Sequence, residues 1–424
     1  MKFLLVNNHC ISDPTAGVTQ SLRTIMEWLA DAGHECRILT TARFEARVTF
    51  TLDEHLAQHG VAARGAPVVE YSVGGVPVTL LRTRHHDESR PNHAETSRFL
   101  AQVDRHLRDF APDQLIACNG HPMIFCALEK ARAGGVTTAF AVRGFGYYDP
   151  RHFADVDHAF TCSQFLTDVY AEKIGLVSTP LEPPIDWSTV VAPTESRAFV
   201  TFVHPSPHKG GYLFARLADM LGSRRRDIPL LVVQSGLSGG FLNTIPGVDF
   251  TKYPQIMAAP PVPKPADYFA LTRLLLVPSV WEEPFGRVAA EAMINGIPPL
   301  VGTRGSLPHV VGGDFDVSGG AGGGRVLPIP EWMTFTTTRL PTEQEVAPWY
   351  DAVCRLWDDE ALYAAVAARA REIAHERYGE EASRKRHVDY FTSLTPATGP
   401  ITGQSRQSRR QSRPFAQPVP RESR

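Results

Sequence analysis

Short apolar runs alternate with longer amphipathic stretches along most of the chain. In the first half, residues 3–6 and 36–40 are apolar runs typical of buried strands. Residues 19–32 lie between them, and their apolar side chains recur at helical spacing: Leu22, Ile25, Met26 and Leu29. A strand–helix–strand unit of this kind is the building block of a parallel sheet. The same pattern predicts further strands at 114–117, 138–142 and 158–161 and a helix at 123–133.

A break near residues 183–197, rich in proline and polar residues, predicts a linker between domains. The alternation then restarts, with strands predicted at 199–203, 229–234, 271–277 and 298–301 and helices at 210–221 and 287–295. Two successive arrays predict two Rossmann-like domains that face each other. Ligands of such sheets bind at the carboxyl ends of the strands, so we expect the site in a cleft between the domains.

The end of the chain changes in character. Residues 347–394 have the apolar faces of helices. Residues 395–424 contain mostly Gln, Ser, Pro and Arg, which predicts a disordered tail. Its arginines could contact RNA or acidic lipid, but a solvated tail is the commoner case. Residues 312–324 are so rich in glycine that we expect more than one conformation there.

Composition narrows the class of protein. With 424 residues the chain has room for two or three domains, and a net charge of −2 requires neither nucleic acid nor an anionic membrane as partner. No stretch approaches the ~20 apolar residues of a membrane span, and the first apolar run is too short for a signal peptide. The six cysteines form no CxxC pair, which favours free thiols in a reducing compartment. We therefore expect a soluble cytoplasmic protein of a size typical of enzymes, without an integral membrane segment.

The chemistry is concentrated in residues 277–298. A buried strand ends at Pro278, a loop carries Glu283, and Gly286 lets the backbone turn into a helix that contains Glu291. The first N–H groups of that helix, those of residues 285–287, favour an anion such as a pyrophosphate. The two carboxylates suit the hydroxyl groups of a nucleotide sugar, whereas a lone pair of glutamates would more often be a solvated loop residue and an exposed helix residue.

The complete pattern resembles the glutamate–seven residues–glutamate signature of the retaining GT-B glycosyltransferases of family 4. The matching residues are Pro278-Ser279, Glu283, Phe285-Gly286, Glu291-Ala292-Met293 and Gly296-Ile297-Pro298. The resemblance extends to about residue 394 and implies an α/β fold, GT-B, with two Rossmann-like domains across a cleft. Residues 1–187 and a helix at about 376–394 would form the acceptor domain, and residues 196–375 the nucleotide-sugar domain.

The resemblance assigns roles to residues of the second domain. Glu283 would hold hydroxyl groups of the donor sugar and Glu291 the ribose. Backbone groups of three residues would contact phosphate or sugar: Phe285, Gly286 and Arg287. Lys209 matches the family lysine that binds the diphosphate and stabilises its departure, although a lysine taken alone would more often be a surface residue. His204 stands where the family has an arginine, as a weaker and pH-dependent cation.

Other positions match loosely or depart from the family. Gly17 belongs to the glycine-rich loop after the first strand, where Ala16 replaces a glycine. Arg143 occupies the place of a histidine that contacts the donor sugar, which favours an unusual or anionic donor or acceptor. His121 follows the preceding strand and could contact the same ligand or be structural. Gly305 would allow the backbone to approach the diphosphate, and His309 follows it in place of a family glutamate.

The implied reaction is metal-independent, hexosyltransferase-like transfer with retention, from a UDP- or GDP-sugar to a small soluble acceptor, and natural-product biosynthesis is the candidate context. No cofactor is expected. The Asp-x-Asp triplets at 155–157 and 314–316 are interpreted as coincidental, and the acidic residues 358–360 as helix capping. Residues 251–268 would contact the base. Two alternatives remain, a non-transferring epimerase of the same fold and a sugar-nucleotide-binding protein. A phosphorylase would need a phosphate or pyridoxal site, for which no motif is present. The oligomeric state is left open.

Overall fold

The computed structural model describes residues 1–13, 16–44, 50–63, 65–84, 92–234, 240–262, 264–316 and 320–403. Two compact units divide the chain. Unit 1 is Met1–Pro184 together with the chain from Arg384 onward, and unit 2 is Ile185–Ser383. The sequence places these boundaries a few residues later at the linker, at 187, and a few residues earlier at the return, at 376.

Unit 1 contains a sheet of eight strands in the order β3-β4-β2-β1-β5-β6-β7-β8. All neighbours pair in parallel except β3, which is antiparallel to β4. The inner strands are buried along nearly their whole length, as expected when helices cover both faces. The strands are β1 (Lys2–Val6), β2 (Glu35–Thr41), β3 (Val68–Val73), β4 (Val76–Leu81), β5 (Gln114–Cys118), β6 (Thr137–Val142), β7 (His158–Thr161) and β8 (Ser178–Pro180).

Helices connect the parallel strands of unit 1. Their starts show why they form where they do: Asn92 caps one with a capping box, and Ser163 caps another through its hydroxyl group. The helices are α1 (Gly17–Asp31), α2 (Leu52–Gln58), α3 (His93–Asp109), α4 (Pro122–Ala133) and α5 (Gln164–Ile174). A 3₁₀ helix, Pro150–Phe153, precedes β7.

Unit 2 contains a parallel sheet of six strands in the order β11-β10-β9-β12-β13-β16. A separate antiparallel pair is made by β14 and β15. The strands are β9 (Phe199–Val203), β10 (Leu230–Val233), β11 (Ile256–Ala259), β12 (Thr272–Val277), β13 (Pro299–Gly302), β14 (Phe315–Asp316), β15 (Gly320–Ala321) and β16 (Arg325–Leu327). The pair β14–β15 lies within the glycine-rich residues 312–324, where the sequence predicts several conformations; the described part is instead held by backbone bonds such as Gly323 N to Val311 O, 2.7 Å.

Helices of unit 2 pack around a core that includes alternate residues of its strands, such as Val200 and Phe202, with Trp349 and Phe214 fully buried. They are α6 (Trp187–Val190), α7 (Gly211–Arg224), α8 (Gly240–Asn243), α9 (Pro265–Phe269), α10 (Arg287–Ile294), α11 (Leu307–Val310), α12 (Glu343–Asp358) and α13 (Glu360–Tyr378). Asp359 caps α13 by accepting a hydrogen bond from Leu362 N, so the capping role predicted for the acidic residues 358–360 holds for this residue.

The last helix, α14 (Glu380–Ser393), returns to unit 1, where Phe391 is fully buried in the core. Residues 395–403 continue along unit 1 and are hydrogen-bonded to it, for example from Val177 N to Ile401 O at 2.8 Å. This part of the predicted disordered tail is therefore ordered, because its backbone groups have partners. Residues 404–424, with the arginines of the tail, lie outside the described residues.

The α/β fold with two parallel-sheet domains predicted from the sequence is confirmed. No helix among the described residues is long and apolar enough to cross a membrane.

Candidate active site

Three loops of unit 2 meet at one edge of its sheet. They follow β9, β12 and β13, which are neighbours and run in parallel, so their carboxyl ends lie side by side. The loops contain residues 204–210, 278–286 and 303–306. Every residue of this unit that the sequence assigns to the diphosphate, the ribose or the transferred sugar lies in these loops or in the first turns of α10.

Lys209 and Glu283 form an ion pair in this group of loops, with Lys209 Nζ 2.6 Å from Glu283 Oε1. Ser279 Oγ donates to the same oxygen at 2.6 Å. Glu283 is only 6% exposed, whereas the side chain of Lys209 retains 29% exposure. The structure therefore brings together two predicted site residues that are far apart in sequence, and the lysine stays accessible to a ligand.

The loop after β9 is fixed against the loop after β12 by backbone contacts. His208 O accepts hydrogen bonds from Val280 N and Trp281 N at 3.1 and 3.2 Å. Gly210 adopts the left-handed conformation, φ +86°, and a Cβ atom there would lie 1.9 Å from Pro278 O. Only glycine fits so close to another backbone, and this contact sets the start of α7 and the position of Lys209 beside it.

Gly305 plays a similar part in the loop after β13. Its φ is +64°, and a Cβ atom would lie 2.3 Å from Glu283 N. Ser306 N donates to Glu283 O at 2.8 Å, and Gly305 N donates to the carboxylate of Glu282. The sequence predicts that Gly305 lets the diphosphate approach; the structure shows the close approach of the Glu283 backbone instead, while contact with a donor stays a prediction.

Helix α10 begins at a left-handed glycine. Gly286 has φ +92°, and no side chain caps the helix start. Arg287 Nε donates to Glu291 Oε1 at 2.6 Å, one turn further along. Glu291 is 4% exposed, and Phe285 packs edge-on against Tyr378 with ring centroids 5.8 Å apart. Glu291 is thus a buried, paired residue rather than an exposed helix residue.

The surroundings shift the pKa values of the two glutamates in opposite directions. For Glu283, burial raises the pKa. The ammonium of Lys209 and the hydrogen bonds from Lys209 and Ser279 lower it by more than burial raises it, so the net shift is downward. For Glu291, burial raises the pKa by more than Arg287 lowers it. Glu283 is therefore held firmly in its ionised form.

His204 lies at the end of β9 with φ +66° and its ring 5.5 Å from that of His208. Burial, then the charges of Lys209 and His208, lower the pKa of His204 to about 4. The imidazole is therefore neutral at pH 7, so in the free protein it does not supply the cation that the sequence suggests. Its Nδ1 atom is buried without a hydrogen-bond partner, and donor binding by this ring stays a prediction.

Arg143 lies in unit 1, directly after β6. The Cζ atom of Arg143 is 5.2 Å from the centroid of the Phe160 ring. Its three guanidinium nitrogens are buried and have no hydrogen-bond partner. Burial lowers the pKa of Arg143, although Cys162 and Cys118 raise it. The structure thus places a desolvated cation at the carboxyl edge of the unit 1 sheet.

The aspartates of the two Asp-x-Asp triplets make protein contacts. Asp157 accepts from Thr138 N at 2.9 Å and pairs with Arg132 at 3.0 Å, and Asp314 pairs with Arg325 at 3.0 Å. Within the described ranges, no group of three or more His, Cys, Asp or Glu residues could hold a metal ion.

Residues 16–173 match the family described as "Glycosyl transferase 4-like domain". The matched residues make up most of unit 1, which is therefore similar to a glycosyl transferase 4-like domain. This match and the fold confirm the resemblance stated from the sequence motif. No curated protein matches the sequence significantly.

Solved structures extend the likeness of the glycosyl transferase 4-like domain to both units. Sucrose-phosphate synthase from Thermosynechococcus elongatus superposes with a TM-score of 0.65 at 15% identity, covering 93% of this chain and 99% of that chain. A glycosyltransferase from Rickettsia africae gives 0.63 at 11% identity, covering 92% and 97%. Anabaena HepE, solved with UDP and glucose, gives 0.62 at 15% identity, covering 93% and 100%. At these identities the likeness shows the fold, which is the GT-B fold.

Two predicted residues of the glycosyl transferase 4-like domain have clear local roles. Gly17 is the first residue of α1, after Ala16, which is fully buried; Pro14 and Thr15 of the predicted loop lie outside the described residues. His121 is the N-cap of α4, and its Nδ1 accepts from Met123 N at 3.3 Å. This bond supports the structural interpretation of His121, and contact with a ligand stays a prediction.

Sequence reasoning missed the role of Ser279, although it noted the residue as part of the motif. A serine four residues before a buried glutamate on a tight loop was the available signal. It also missed that Tyr268 lies near Glu291. Tyr268 is buried, and its pKa is raised by burial and then by Glu291. Tyr268 ends the region 251–268 predicted to contact the base, and its proximity to Glu291 has no signal in the local sequence.

Proposed function

We propose that this chain transfers a sugar from a nucleotide diphosphate sugar, UDP- or GDP-linked, to a small soluble acceptor. The transfer proceeds with retention at the anomeric carbon and without a metal ion. The observation that carries the proposal is the buried Glu283 carboxylate, held ionised by Lys209 and Ser279 at the start of the loop that leads into α10. An acceptor in natural-product biosynthesis agrees with this role.

The ion pair leaves both partners able to bind a donor. A lysine ammonium has three N–H donors, so Lys209 can hold Glu283 and a phosphate oxygen at once. Within the described residues, the side-chain hydrogen bonds from Lys209 and Ser279 to Glu283 both fall on Oε1. Oε2 can therefore accept a hydrogen bond from a hydroxyl group of the transferred sugar. The uncapped start of α10 adds backbone N–H groups and the positive end of the helix dipole.

These groups suit the reaction. The bond between the anomeric carbon and the diphosphate oxygen breaks, and its electron pair goes to the diphosphate. The acceptor hydroxyl attacks the anomeric carbon from the same face and gives its proton to the departing phosphate oxygen. Lys209 and the start of α10 stabilise the charge that develops on the diphosphate, so they replace a metal ion in this role. The products are a nucleoside diphosphate and the glycoside.

The first experiment is a thermal-shift panel of UDP-, GDP- and ADP-sugars with the full chain. A donor that binds only the folded state raises the melting temperature by mass action. UDP-glucose is the first probe because Anabaena HepE is described in complex with UDP and glucose. If no nucleotide sugar shifts the melting temperature, the proposal fails at the binding step.

The second experiment tests the ion pair. We expect Lys209→Met and Glu283→Gln each to lower the turnover of a bound nucleotide sugar by about 100-fold or more, the usual cost of losing one preorganised electrostatic contact. Arg224→Met and Glu343→Gln are matched controls, because these two residues form an exposed ion pair elsewhere in the same unit. Circular dichroism establishes that each variant is folded. Unchanged turnover in both site variants would reject the proposal.

The remaining alternatives separate in one assay. A transferase releases nucleoside diphosphate faster when acceptor is present, an epimerase acts on the nucleotide sugar alone, and a binding protein shows no turnover. The anomeric configuration of the product, read by NMR coupling constants, tests retention. Activity that survives EDTA supports metal independence, and activity restored only by a divalent cation contradicts it.

A further inference from the structure

The guanidinium group of Arg143 is the most unusual polar group of unit 1. Its Nε, Nη1 and Nη2 atoms are all buried, and among the residues that the structure describes none of these atoms has a hydrogen-bond acceptor. An arginine in a protein stays protonated, so the charge cannot be relieved by losing a proton. A buried cation without a partner is costly, and such groups are normally paired.

The neighbours of Arg143 compensate only part of that charge. The ring of Phe160 lies beneath the guanidinium and offers a cation–π contact. Cys162 provides no counter-charge, because burial, opposed by Arg143, raises the pKa of its thiol to about 11. The carboxylate of Asp157 lies at the opposite end of these strands, beside Thr138 at the start of β6, and is occupied by Arg132 and Thr138.

A second group of unsatisfied polar atoms lies at the same edge of the sheet. Asn7 follows β1, is fully buried, and its Nδ2 atom has no acceptor; Oδ1 of the buried Asn8 has no donor. Asn119 follows β5 and links the two places, since its Nδ2 donates to Asn7 Oδ1 at 2.6 Å. Because β1, β5 and β6 are consecutive in the sheet, Asn7, Asn119 and Arg143 lie side by side at its carboxyl edge.

Open space adjoins this group. A Cβ atom added to Gly144, the residue after Arg143, would meet no atom within 4 Å. Gly144 does not have a positive φ, so a larger side chain can be accommodated there without backbone strain. The backbone beside Arg143 therefore has room for a ligand group or for a larger side chain at position 144.

We propose that Arg143, together with the free amide of Asn7, binds an oxyanion of the substrate, a carboxylate or a phosphate. The anion belongs to the acceptor or to the transferred sugar, and this inference rests on the proposed transferase function. An oxyanion supplies what the edge lacks, a counter-charge for the guanidinium and an acceptor for the amide N–H.

The test uses matched pairs of anionic and neutral probes with the full chain. The donor arm compares UDP-glucuronate with UDP-glucose. The acceptor arm uses UDP-glucose as donor and compares glucose 6-phosphate with glucose, and 4-hydroxybenzoate with 4-hydroxybenzamide. Three variants are used. Arg143→Met removes the charge, Arg143→Lys keeps the charge without the planar guanidinium group, and Gly144→Leu fills the open space at position 144.

We expect the wild-type protein to favour the anionic member of a pair by about 10- to 100-fold in one arm, the usual strength of a charge-assisted hydrogen bond. Arg143→Met should abolish this preference, Arg143→Lys should retain part of it, and Gly144→Leu should weaken it. The arm that shows the preference identifies the donor or the acceptor as the carrier of the anion.

The melting temperature of the variants distinguishes a binding role from a structural role, because the two roles predict opposite shifts. Without ligand, Arg143→Met should melt at or above the wild-type temperature, because it removes an unpaired buried charge. A clear fall in melting temperature, with the preference for anions unchanged in Arg143→Lys and Gly144→Leu, would make Arg143 a structural anchor on Phe160 and overturn the inference. No preference in either arm would also overturn it. Loss of UDP binding itself would instead count against the proposed function, whose residues lie in unit 2.

Discussion

Glu283 and Glu291 are both buried carboxylates, yet the protein treats them differently. Lys209 and Ser279 together bind Glu283, and their effect on its pKa exceeds that of burial. Glu291 has the single partner Arg287, and burial prevails. Glu283 is therefore a firm anion and hydrogen-bond acceptor, whereas Glu291 lies closer to its neutral form. This difference agrees with the predicted roles, in which Glu283 binds hydroxyl groups of the reacting sugar and Glu291 binds those of the ribose.

His204 makes the stability of unit 2 depend on pH. Its pKa is about 4 in the folded protein and 6.5 in an unfolded chain. As the pH falls from 6.5 to 4, the unfolded chain binds a proton that the folded protein does not. The contribution of neutral His204 to stability is therefore complete above pH 6.5 and is lost through this window.

The variant His204→Asn tests this dependence, because asparagine is neutral and tolerates the positive φ of this position. Between pH 7.5 and pH 5 we expect the wild-type protein to lose on the order of 1 kcal/mol more stability than the variant, after allowance for the partial exposure of the ring. Calorimetric melting temperatures at both pH values measure the difference. Parallel pH profiles for the two proteins would show that His204 is not held neutral.

Among the elements, α7 and α10 share an unusual start. Both begin after a left-handed glycine, Gly210 or Gly286, and neither has a side-chain cap. Elsewhere in the chain α3, α5 and α12 are capped by Asn92, Ser163 and Thr342. A helix start without its own cap keeps backbone N–H groups for a ligand. Helices α1, α9 and α11 also start without a side-chain cap hydrogen bond, but their N-cap residues are not left-handed glycines. The two helices that combine both features adjoin the predicted diphosphate site.

The variant Gly210→Ala tests how far the site depends on this start. Its Cβ atom would collide with Pro278 O at 1.9 Å, so the loops after β9 and β12 must separate. We expect UDP affinity to fall at least about 10-fold and the melting temperature to fall as well. The control Gly247→Ala has a similar φ, +88°, with only ordinary contact at 3.5 Å. It should lower stability by about 1 kcal/mol through backbone strain and leave UDP affinity unchanged. Equal UDP affinities of the two variants would show that nucleotide binding does not depend on the contact between Gly210 and Pro278.

Much of the fold could be predicted at this scale because buried parallel strands are continuous apolar runs. Strand 199–203 was located to the residue, and the helix at 287–295 to within one. The antiparallel hairpin of β3 and β4 was missed, although Gly74 and Gly75 provide the two positive φ values of its turn. Long-range contacts could not be predicted: the approach of Gly305 to the Glu283 backbone and the burial of Arg143 depend on how separate strand ends meet.

For the whole molecule, the predicted site residues divide between the two units. Most candidates for binding the nucleotide diphosphate, such as Lys209 and Glu283, lie in unit 2, whereas Gly17 and Arg143 lie in unit 1. The chain leaves unit 1 after Pro184 and returns at Arg384, so the C-terminal segment completes the unit in which the chain began. A change near the C-terminus should therefore affect unit 1 and leave nucleotide binding intact.

Truncation of the C-terminal segment tests this division. The bonds of residues 395–403 to unit 1 include His158 Nε2 with Thr395 O, Ala397 N to Asp157 Oδ1, Val177 N to Ile401 O and Gly403 N to Ile174 O. At about 1 kcal/mol for each net hydrogen bond, ending the chain after residue 394 should destabilise unit 1 by about 2–4 kcal/mol. Ending it after residue 403 removes none of these bonds and is the matched control.

Hydrogen exchange measured by mass spectrometry resolves the effect by region. The shorter chain should exchange faster in α5, β7 and β8, which carry or adjoin the lost contacts, while peptides from α7 and α10 keep their protection and UDP still slows exchange around residues 204–210 and 279–291. The control chain should match the full chain in all of these regions. If the shorter chain lost UDP protection as well, the two units would unfold together, and nucleotide binding could not be assigned to unit 2 as an independent property. Protection lost only in unit 1 would show that residues 395–403 stabilise that unit alone, because their hydrogen bonds are made to it and not to the nucleotide site.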